Sequence, residues 1–202
     1  MDTEKYINSG IVELFVMGSL TSEEENELTL LASQHPEIRA EIERVSITLE
    51  TYAQSTAQTP DPAIKPMLMA TLDYMHRLEN GESPVIAPLL SKNSKKEDFS
   101  HWLNRTDMQA PAEYDHTFVK IIYSTPSSTT ATVWLKEGAP NETHTNEYES
   151  LFILEGSCDI LIDSSTHQLF PGDQLTIPLH VPHTVKVTST VPCKLILERR
   201  AA

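Results

Sequence analysis

Apolar residues recur at two different periods along this chain. Over roughly the first 80 residues they return every three or four positions, as on one face of a helix. The clearest series has spacings of four, three, four and three: Ile38, Ile42, Val45, Leu49 and Tyr52. From about residue 98 onward the period is two, which is typical of half-buried β-strands. The pattern predicts an α+β chain with two domains.

Four helices are expected in the first part. The first covers Ile7 to Met17, with Gly18 where a C-terminal cap belongs. A capping box, either Thr21 with Glu24 or Ser22 with Glu25, begins a second helix that runs to about Gln34.

Two prolines mark the remaining helices. Pro36 suits the first turn of the third helix. Asp61-Pro62 begins a fourth, which ends near Asn80-Gly81. Its apolar residues recur at spacings of four, four and three: Ile64, Leu68, Leu72 and Met75. We assign residues 1–80 to a small helical bundle.

Residues 81–97 are rich in Pro, Ser and Lys, which indicates a linker or an irregular first strand. Eight short runs follow within residues 98–202, separated by Gly, Pro, Asn and Asp. Eight such runs predict a β-sandwich or barrel. The runs are Phe118–Tyr123, Thr130–Leu135, Glu149–Leu154, Cys158–Ile162, Gln168–Phe170, Gln174–Ile177, Thr184–Val187 and Cys193–Leu197.

The acidic net charge of the chain indicates which kinds of partner to expect. Among 202 residues there are 29 acidic and 15 basic side chains, a net charge of −14. This balance argues against binding nucleic acid through its phosphates and favours a basic protein partner. Residues 1–60 carry 11 acidic and 3 basic side chains, so most of the excess lies in the helical part.

The chain has no apolar run near the ~18 residues that a membrane helix needs, and its beginning lacks the basic region of a signal peptide. We therefore expect a cytoplasmic protein without a membrane contact. The two cysteines, Cys158 and Cys193, are expected to be buried and reduced, although a disulfide between them stays open.

The residues with metal-binding chemistry lie in two blocks, Gly138–Gly156 and Pro171–His183. Glu142 and His144 are two apart and can share a face of a strand. Glu149 is five positions further on, an odd step, so a turn at residues 145–147 must return it to that face. His183 would come from a separate hairpin. Two imidazoles with one or two carboxylates suit zinc, iron(II), manganese or nickel.

Other polar residues near these blocks match the role of a metal ligand less well. Glu147 competes with Glu142 as the second carboxylate, and His180 fits a turn or a supporting position. The histidines without a metal-ligand spacing are expected at solvated positions: His101, His116 and His167. The metal could also be absent.

The two blocks resemble the conserved motifs of the cupin superfamily, G-x5-H-x-H-x(3,4)-E-x6-G and G-x5-P-x-G-x2-H-x3-N. Gly172, Pro178 and His183 match the second motif, with His180 in its glycine slot and Val187 in place of the asparagine. In the first motif Glu149 and Gly156 match. Counted back from Glu149, Glu142 and His144 fill the histidine slots; counted forward from Gly138, His144 and Asn146 fill them. The resemblance implies a jelly-roll barrel and, most often, zinc.

The helical part resembles the anti-sigma domain of regulators of extracytoplasmic-function sigma factors, through the segments GSLTSEEE and ASQHPEIRAEI. The zinc-binding motif of that domain would fall on Leu31, His35 and Ile38, so the resemblance implies a zinc-free version. A helical domain followed by a cupin is the arrangement of the ChrR group of anti-sigma factors.

Three functions follow from these resemblances. The first is a cytosolic regulator whose helices bind a sigma factor and whose cupin senses a metal, a small ligand or an oxidant. The second is a metal-dependent cupin enzyme, a dioxygenase or isomerase, with a helical oligomerisation arm. The third is a metal-free ligand-binding or assembly cupin. A homodimer is expected in all three.

Overall fold

The computed structural model describes residues 2–202, which form two compact units. One ends at Thr59 and the other spans Pro60–Ala202. The first contains four helices: α1 (Thr3–Ile7), α2 (Ile11–Val16), α3 (Ser22–Gln34) and α4 (Pro36–Ser55). The second contains α5 (Ile64–Glu79), the single-turn helix α6 (Ser100–Leu103), two 3₁₀ turns (Lys96–Phe99 and Thr106–Met108) and nine strands. The predicted α+β architecture is confirmed.

The predicted first helix, Ile7 to Met17, is wrong in one respect, because two short helices occupy this stretch. Gly10 precedes α2 with a left-handed backbone, φ 85°, and so separates it from α1. A residue in this conformation cannot continue a right-handed helix. Of the two possible capping boxes, Thr21 with Glu24 is the one that begins α3, and Pro36 lies in the first turn of α4 as predicted.

The core of the first unit is small. Val12 of α2, Leu28 of α3, and Ile38 and Val45 of α4 are its buried apolar residues. The apolar series along α4 is therefore buried only in its first half, whereas Leu49 and Tyr52 are exposed.

Helix α5 belongs to the second unit and packs against β1. The sequence analysis grouped this helix with the N-terminal bundle. Its buried residues are Ala70 and Tyr74. The four apolar positions that indicated the helix lie on its other side and are exposed: Ile64, Leu68, Leu72 and Met75.

All eight predicted strands are present: β1 (Thr117–Thr125), β2 (Ser128–Leu135), β4 (Glu147–Glu155), β5 (Cys158–Ile162), β6 (Ser165–Leu169), β7 (Gln174–Ile177), β8 (His183–Val187) and β9 (Cys193–Ala201). A ninth strand, β3 (Gly138–Glu142), was not predicted. One sheet has the order β1-β2-β9-β4-β7 and the other β3-β8-β5-β6, with antiparallel neighbours throughout. The arrangement is a β-sandwich of two antiparallel sheets.

The core of the second unit lies between the two sheets, where Leu151, Ile153, Ile160 and Leu195 are among the buried residues. Gly138 allows β3 to approach β8 closely, because a Cβ at this position would lie only 2.0 Å from the carbonyl oxygen of Val185. Cys158 and Cys193 are buried in this core as free thiols.

The stretch predicted as a linker or irregular strand, residues 81–97, contains no strand. It lies against the second unit, where Ala87 and Leu90 pack near Phe99 and Trp102. The buried carboxylate of Glu198 accepts a hydrogen bond from the backbone N–H of Leu90 at 2.8 Å.

Within residues 2–202, none of the helices combines the length and the apolar character that crossing a bilayer requires.

Candidate metal centre

Four side chains that the sequence analysis singled out come together in the second unit. Glu142, His144, Glu149 and His183 each offer one ligand atom, and these atoms all lie within 4.8 Å of one another. The residues are contributed by different parts of the sandwich, so the cluster depends on the complete fold.

Strand register explains this convergence. Glu142, the last residue of β3, is paired with His183, the first residue of β8, in the four-stranded sheet. Glu149 lies within β4 of the five-stranded sheet. His144 lies in the connection between β3 and β4. Because the chain turns there, Glu149 can face the same cluster as Glu142 and His144 although it is an odd number of residues further along. Both sheets therefore contribute to the cluster.

The distances suit a single ion. Nε2 of His144 is 3.2 Å from Oε2 of Glu149, and Nε2 of His183 is 3.5 Å from Oε1 of the same carboxylate. Nε2 of His144 is 3.7 Å from Oε2 of Glu142. Ligands that each lie about 2.1 Å from a zinc-like ion are separated by roughly 3.0–3.5 Å in tetrahedral or octahedral arrangements. Small side-chain adjustments would therefore complete a coordination sphere.

Two ring nitrogens of the cluster histidines make no hydrogen bond in the part of the chain that the structure describes. Within residues 2–202, Nε2 of His144 and Nδ1 of His183 are buried and make no hydrogen bond. Buried polar atoms are nearly always paired, and an ion bound in the cluster would explain the unpaired Nε2 of His144. Because His183 faces Glu149 with its Nε2, such an ion would not explain the unpaired Nδ1 of that ring.

The sequence analysis missed Arg199, which lies beside the cluster on β9. It is the direct cross-strand partner of Glu149. Its Nε donates to Oε2 of Glu149 at 2.7 Å, and a terminal nitrogen donates to Oε2 of Glu142 at 2.9 Å. A sequence signal did exist, because alternate residues on β9 share a face and Arg199 follows the cavity-lining residues Leu195 and Leu197 at that period.

The charges in the cluster influence one another strongly. Burial would raise the pKa of Glu149, but contacts with His144, His183 and Arg199 outweigh it and hold this pKa well below its ordinary value. Burial also opposes the charge of Arg199, yet Glu149 and Glu142 keep its pKa raised. The Glu149 carboxylate raises the pKa of His144 against the effect of burial. Glu149 is thus an anion throughout the physiological range.

Glu147, the competing carboxylate, lies outside the group of four. Its Oε1 is 3.6 Å from Nδ1 of His144 and 3.7 Å from Nε of Arg199. A carboxylate next to the second ring nitrogen of a ligand histidine fixes the orientation of the ring. Asn146, the alternative in the first motif, is exposed.

His180 serves the cluster through its backbone. Its N–H donates to the carbonyl oxygen of His144 at 2.7 Å, which joins the two motif blocks. It occupies the glycine slot of the second motif and has the positive φ, 63°, that glycine favours. His101 and His116 are exposed, and His167 is half-buried on β6, so none of the three joins the cluster.

The charge balance also suits a divalent cation. Three carboxylates (Glu142, Glu147 and Glu149) and one guanidinium (Arg199) leave a net charge of −2 when both imidazoles are neutral. A divalent ion would neutralise it. Nitrogen and oxygen donors without sulfur suit zinc, iron(II), manganese or nickel, so the residues present fit the metal that the motifs implied.

Comparison with known proteins agrees with the fold. The family model described as "Cupin domain" (Cupin_2) matches residues 130–197. No curated protein matches this sequence.

Three solved structures illustrate the likeness. KdgF from Halomonas sp. is 17% identical, with 48% of this chain and 90% of that chain covered and a TM-score of 0.41. The Cupin_2 domain of an XRE family transcriptional regulator from Enterobacter cloacae is 18% identical, with 43% and 97% covered and a TM-score of 0.38. The Cnp3 cupin domain of Schizosaccharomyces pombe is 15% identical, with 44% and 67% covered and a TM-score of 0.41. The family-model match alone identifies the Cupin_2 domain, at residues 130–197 of the second unit.

Proposed function

We propose that the cupin domain binds one divalent transition metal ion through Glu142, His144, Glu149 and His183. The convergence of these four side chains, three from the two sheets and His144 from the β3–β4 connection, is the observation that carries the proposal. The unpaired Nε2 of His144 and the net charge of −2 support it. When bound, the ion would supply Lewis acidity and an attachment point for a small ligand or oxidant.

A calorimetric titration of the metal-free full chain with Zn²⁺ tests this proposal. We expect one ion per chain, and a His144→Ala variant should bind at least about tenfold more weakly because it loses one inner ligand. His167→Ala is the matched control, since His167 lies on β6 away from the cluster, and it should bind as the wild type does. Equal affinities of the two variants would contradict the proposal.

We further propose that the helical unit binds an extracytoplasmic-function sigma factor, so that the protein is an anti-sigma-type regulator. Two features of the unit support this. It carries 11 acidic and 3 basic side chains within residues 1–60, and it exposes large apolar residues, among them Leu30, Ile47 and Tyr52. An acidic surface with apolar residues complements a basic partner, attracts it at a distance and provides contact area once the two meet.

The partner test uses the purified sigma factor whose gene lies nearest to this one. We expect its association rate with the full chain to fall steeply with added salt. A triple variant, Glu23→Gln, Glu25→Gln and Glu27→Gln, should associate several-fold more slowly. The control neutralises three exposed acidic residues of the second unit, Glu79, Glu97 and Glu113, and should change the rate little. Absence of binding by the wild-type chain would refute the sigma-factor proposal.

Coupling between the two units is the regulatory part of the proposal. If a metal or ligand in the cupin alters sigma-factor affinity by some factor, then the sigma factor must alter the affinity of the metal or ligand by the same factor. Measuring both affinities, each with and without the other component, tests this equality. Identical sigma-factor affinities in chelator and in excess zinc would remove the metal as the signal.

One observation favours the alternative of a metal-dependent enzyme, a dioxygenase or isomerase. A cavity of about 300 Å³ reaches Glu142 and Glu149, so a small substrate could lie next to the bound ion. Oxygen consumption with diketones or catechols that disappears in His183→Ala would support the enzyme.

A further inference from the structure

The cavity next to the metal cluster has two chemically different parts. Most of its wall consists of apolar side chains from the sheets, including Val119, Val133, Val185 and Leu195. Glu142, Glu149 and Arg199 of the cluster also line it, as do three further polar residues: His116, Thr117 and Glu137. At about 300 Å³ it is within the range of pockets that enclose small organic molecules. A ligand that fits would be mostly apolar with one polar end.

Helix α5 supplies part of this wall from outside the matched cupin stretch. Two residues of its first turn line the cavity, Pro66 and Met67, together with the two residues just before it, Pro62 and Ala63. Met67 is half-buried and packs against the core between the sheets. The strands alone therefore leave the cavity open on the side that α5 covers.

The two halves of α5 are held with different strength. In the C-terminal half, Asp73 accepts from Lys120 at 2.7 Å and from Arg77 at 3.1 Å. Arg77 also pairs with Glu82 at 2.7 Å and donates to the carbonyl oxygen of Ile121. These groups are largely buried, so the half of the helix that carries them is fixed to β1.

In the N-terminal half, the only ion pair among the described residues joins Lys65 to Asp115 at 3.4 Å. Both side chains are about 80% exposed. Exposed ion pairs of this kind contribute little to stability. Within the described part of the chain, the first turn of α5 therefore has no buried ion pair, and its half-buried residues Pro66 and Met67 line the cavity.

We propose that the cavity binds a small, uncharged, mostly apolar molecule with one oxygen-donor end, and that the first turn of α5 is its lid. Met67 packs on the apolar body of the ligand, while the C-terminal half of the helix stays in place as the hinge side. The contact between the oxygen donor and the cluster requires the metal ion proposed above. The apolar part of the site and the lid do not require that ion.

The test uses N-phenyl-1-naphthylamine, a neutral apolar dye that fluoresces when it leaves water. Titrated into the full chain in chelator, it should bind saturably with one site per chain. Met67→Ala should weaken binding about five- to tenfold, since part of a methionine contact is lost. Met75→Ala is the matched control, because Met75 lies on the exposed side of the same helix and does not line the cavity, and it should leave binding unchanged.

Hydrogen exchange locates the lid. Without dye, amides of residues 64–70 should exchange faster than those of residues 73–79, and the dye should slow only the former. Ala139→Phe, which fills the cavity, should abolish both dye binding and the slowed exchange. If that variant does not fold, comparison of the two methionine variants still tests the lid. The lid is refuted by absence of saturable binding, by equal effects of Met67→Ala and Met75→Ala, or by unchanged exchange in the first turn. Failure of the zinc titration would leave these results intact, so the two proposals fail separately.

Discussion

Replacing Arg199 with glutamine tests the electrostatic account of the cluster. Arg199 donates to Glu149 at 2.7 Å and to Glu142 at 2.9 Å. Glu149 is only 4% exposed, so water cannot replace the lost guanidinium at that carboxylate. Glutamine keeps much of the side-chain length and removes the charge.

The expected cost follows from burial. Removing one member of a buried ion pair typically destabilises a protein by about 3–5 kcal/mol, because the other charge stays buried and uncompensated. The Arg199 side chain is 23% exposed, which places the change near the lower end, about 3 kcal/mol. For a protein of this size that corresponds to a fall in Tm of roughly 6–12 °C.

Thermal unfolding in chelator, followed by circular dichroism, measures this cost. Arg200→Gln is the matched control, because Arg200 is the next residue on β9, is exposed and makes no ion pair within residues 2–202; its Tm should change by about 1 °C or less. Zinc should raise the Tm of Arg199→Gln more than that of the wild type, since the site then carries a charge of −3. Equal Tm values for the two arginine variants in chelator would refute the reasoning.

Three further predictions concern the rest of the chain. Gly138→Ala should lower the free energy of unfolding by about 3 kcal/mol or more, because its Cβ would lie 2.0 Å from the Val185 carbonyl oxygen. Gly172→Ala meets no atom within 4 Å and should cost only backbone strain, about 1 kcal/mol. Urea unfolding compares the two variants, and similar losses of stability would contradict the close approach of β3 to β8. Arg105, with Arg77, lowers the pKa of Glu82, so the stability that this carboxylate contributes is present above about pH 4.3 and is lost as the pH falls through the lowered pKa. Glu82→Gln should therefore lower the free energy of unfolding by about 1–3 kcal/mol at pH 7 and flatten the acid side of a stability–pH curve. An unchanged acid side would argue against the ion pairs of Glu82 with Arg77 and Arg105. Thr21→Ala should destabilise the helical unit by about 1 kcal/mol through loss of the α3 cap, measured as a shift in urea midpoint, while an equal effect of Ser22→Ala would contradict the assigned capping box.

Local patterns accounted for most of the fold. Period-two runs located eight of the nine strands, and the capping box and Pro36 located the start of α3 and α4. Strand β3 was not predicted because its sequence, Gly-Ala-Pro-Asn-Glu, has no alternation of apolar and polar residues. It forms through its pairing with β8. The exposed apolar side of α5 could not be distinguished from a buried one, since only the packing of Ala70 and Tyr74 against the core decides which side faces inward.

The cluster was partly predictable for a similar reason. Motif spacing pointed to all four of its members, because turns and short strands fix which residues share a face. Arg199 was missed because its contact with Glu149 crosses 50 residues of sequence. A charged residue at an inward position of an otherwise apolar strand end is the signal that identifies it in retrospect.

The central claim, that four side chains bind one ion, is tested most directly by metal content. The purified full chain, equilibrated with a mixture of zinc, iron(II), manganese and nickel and then dialysed, should retain one ion per chain by elemental analysis. His183→Ala should retain close to none, and His167→Ala should retain as much as the wild type. A wild-type chain that emerges without metal, or a His183→Ala chain that keeps its ion, would contradict the account.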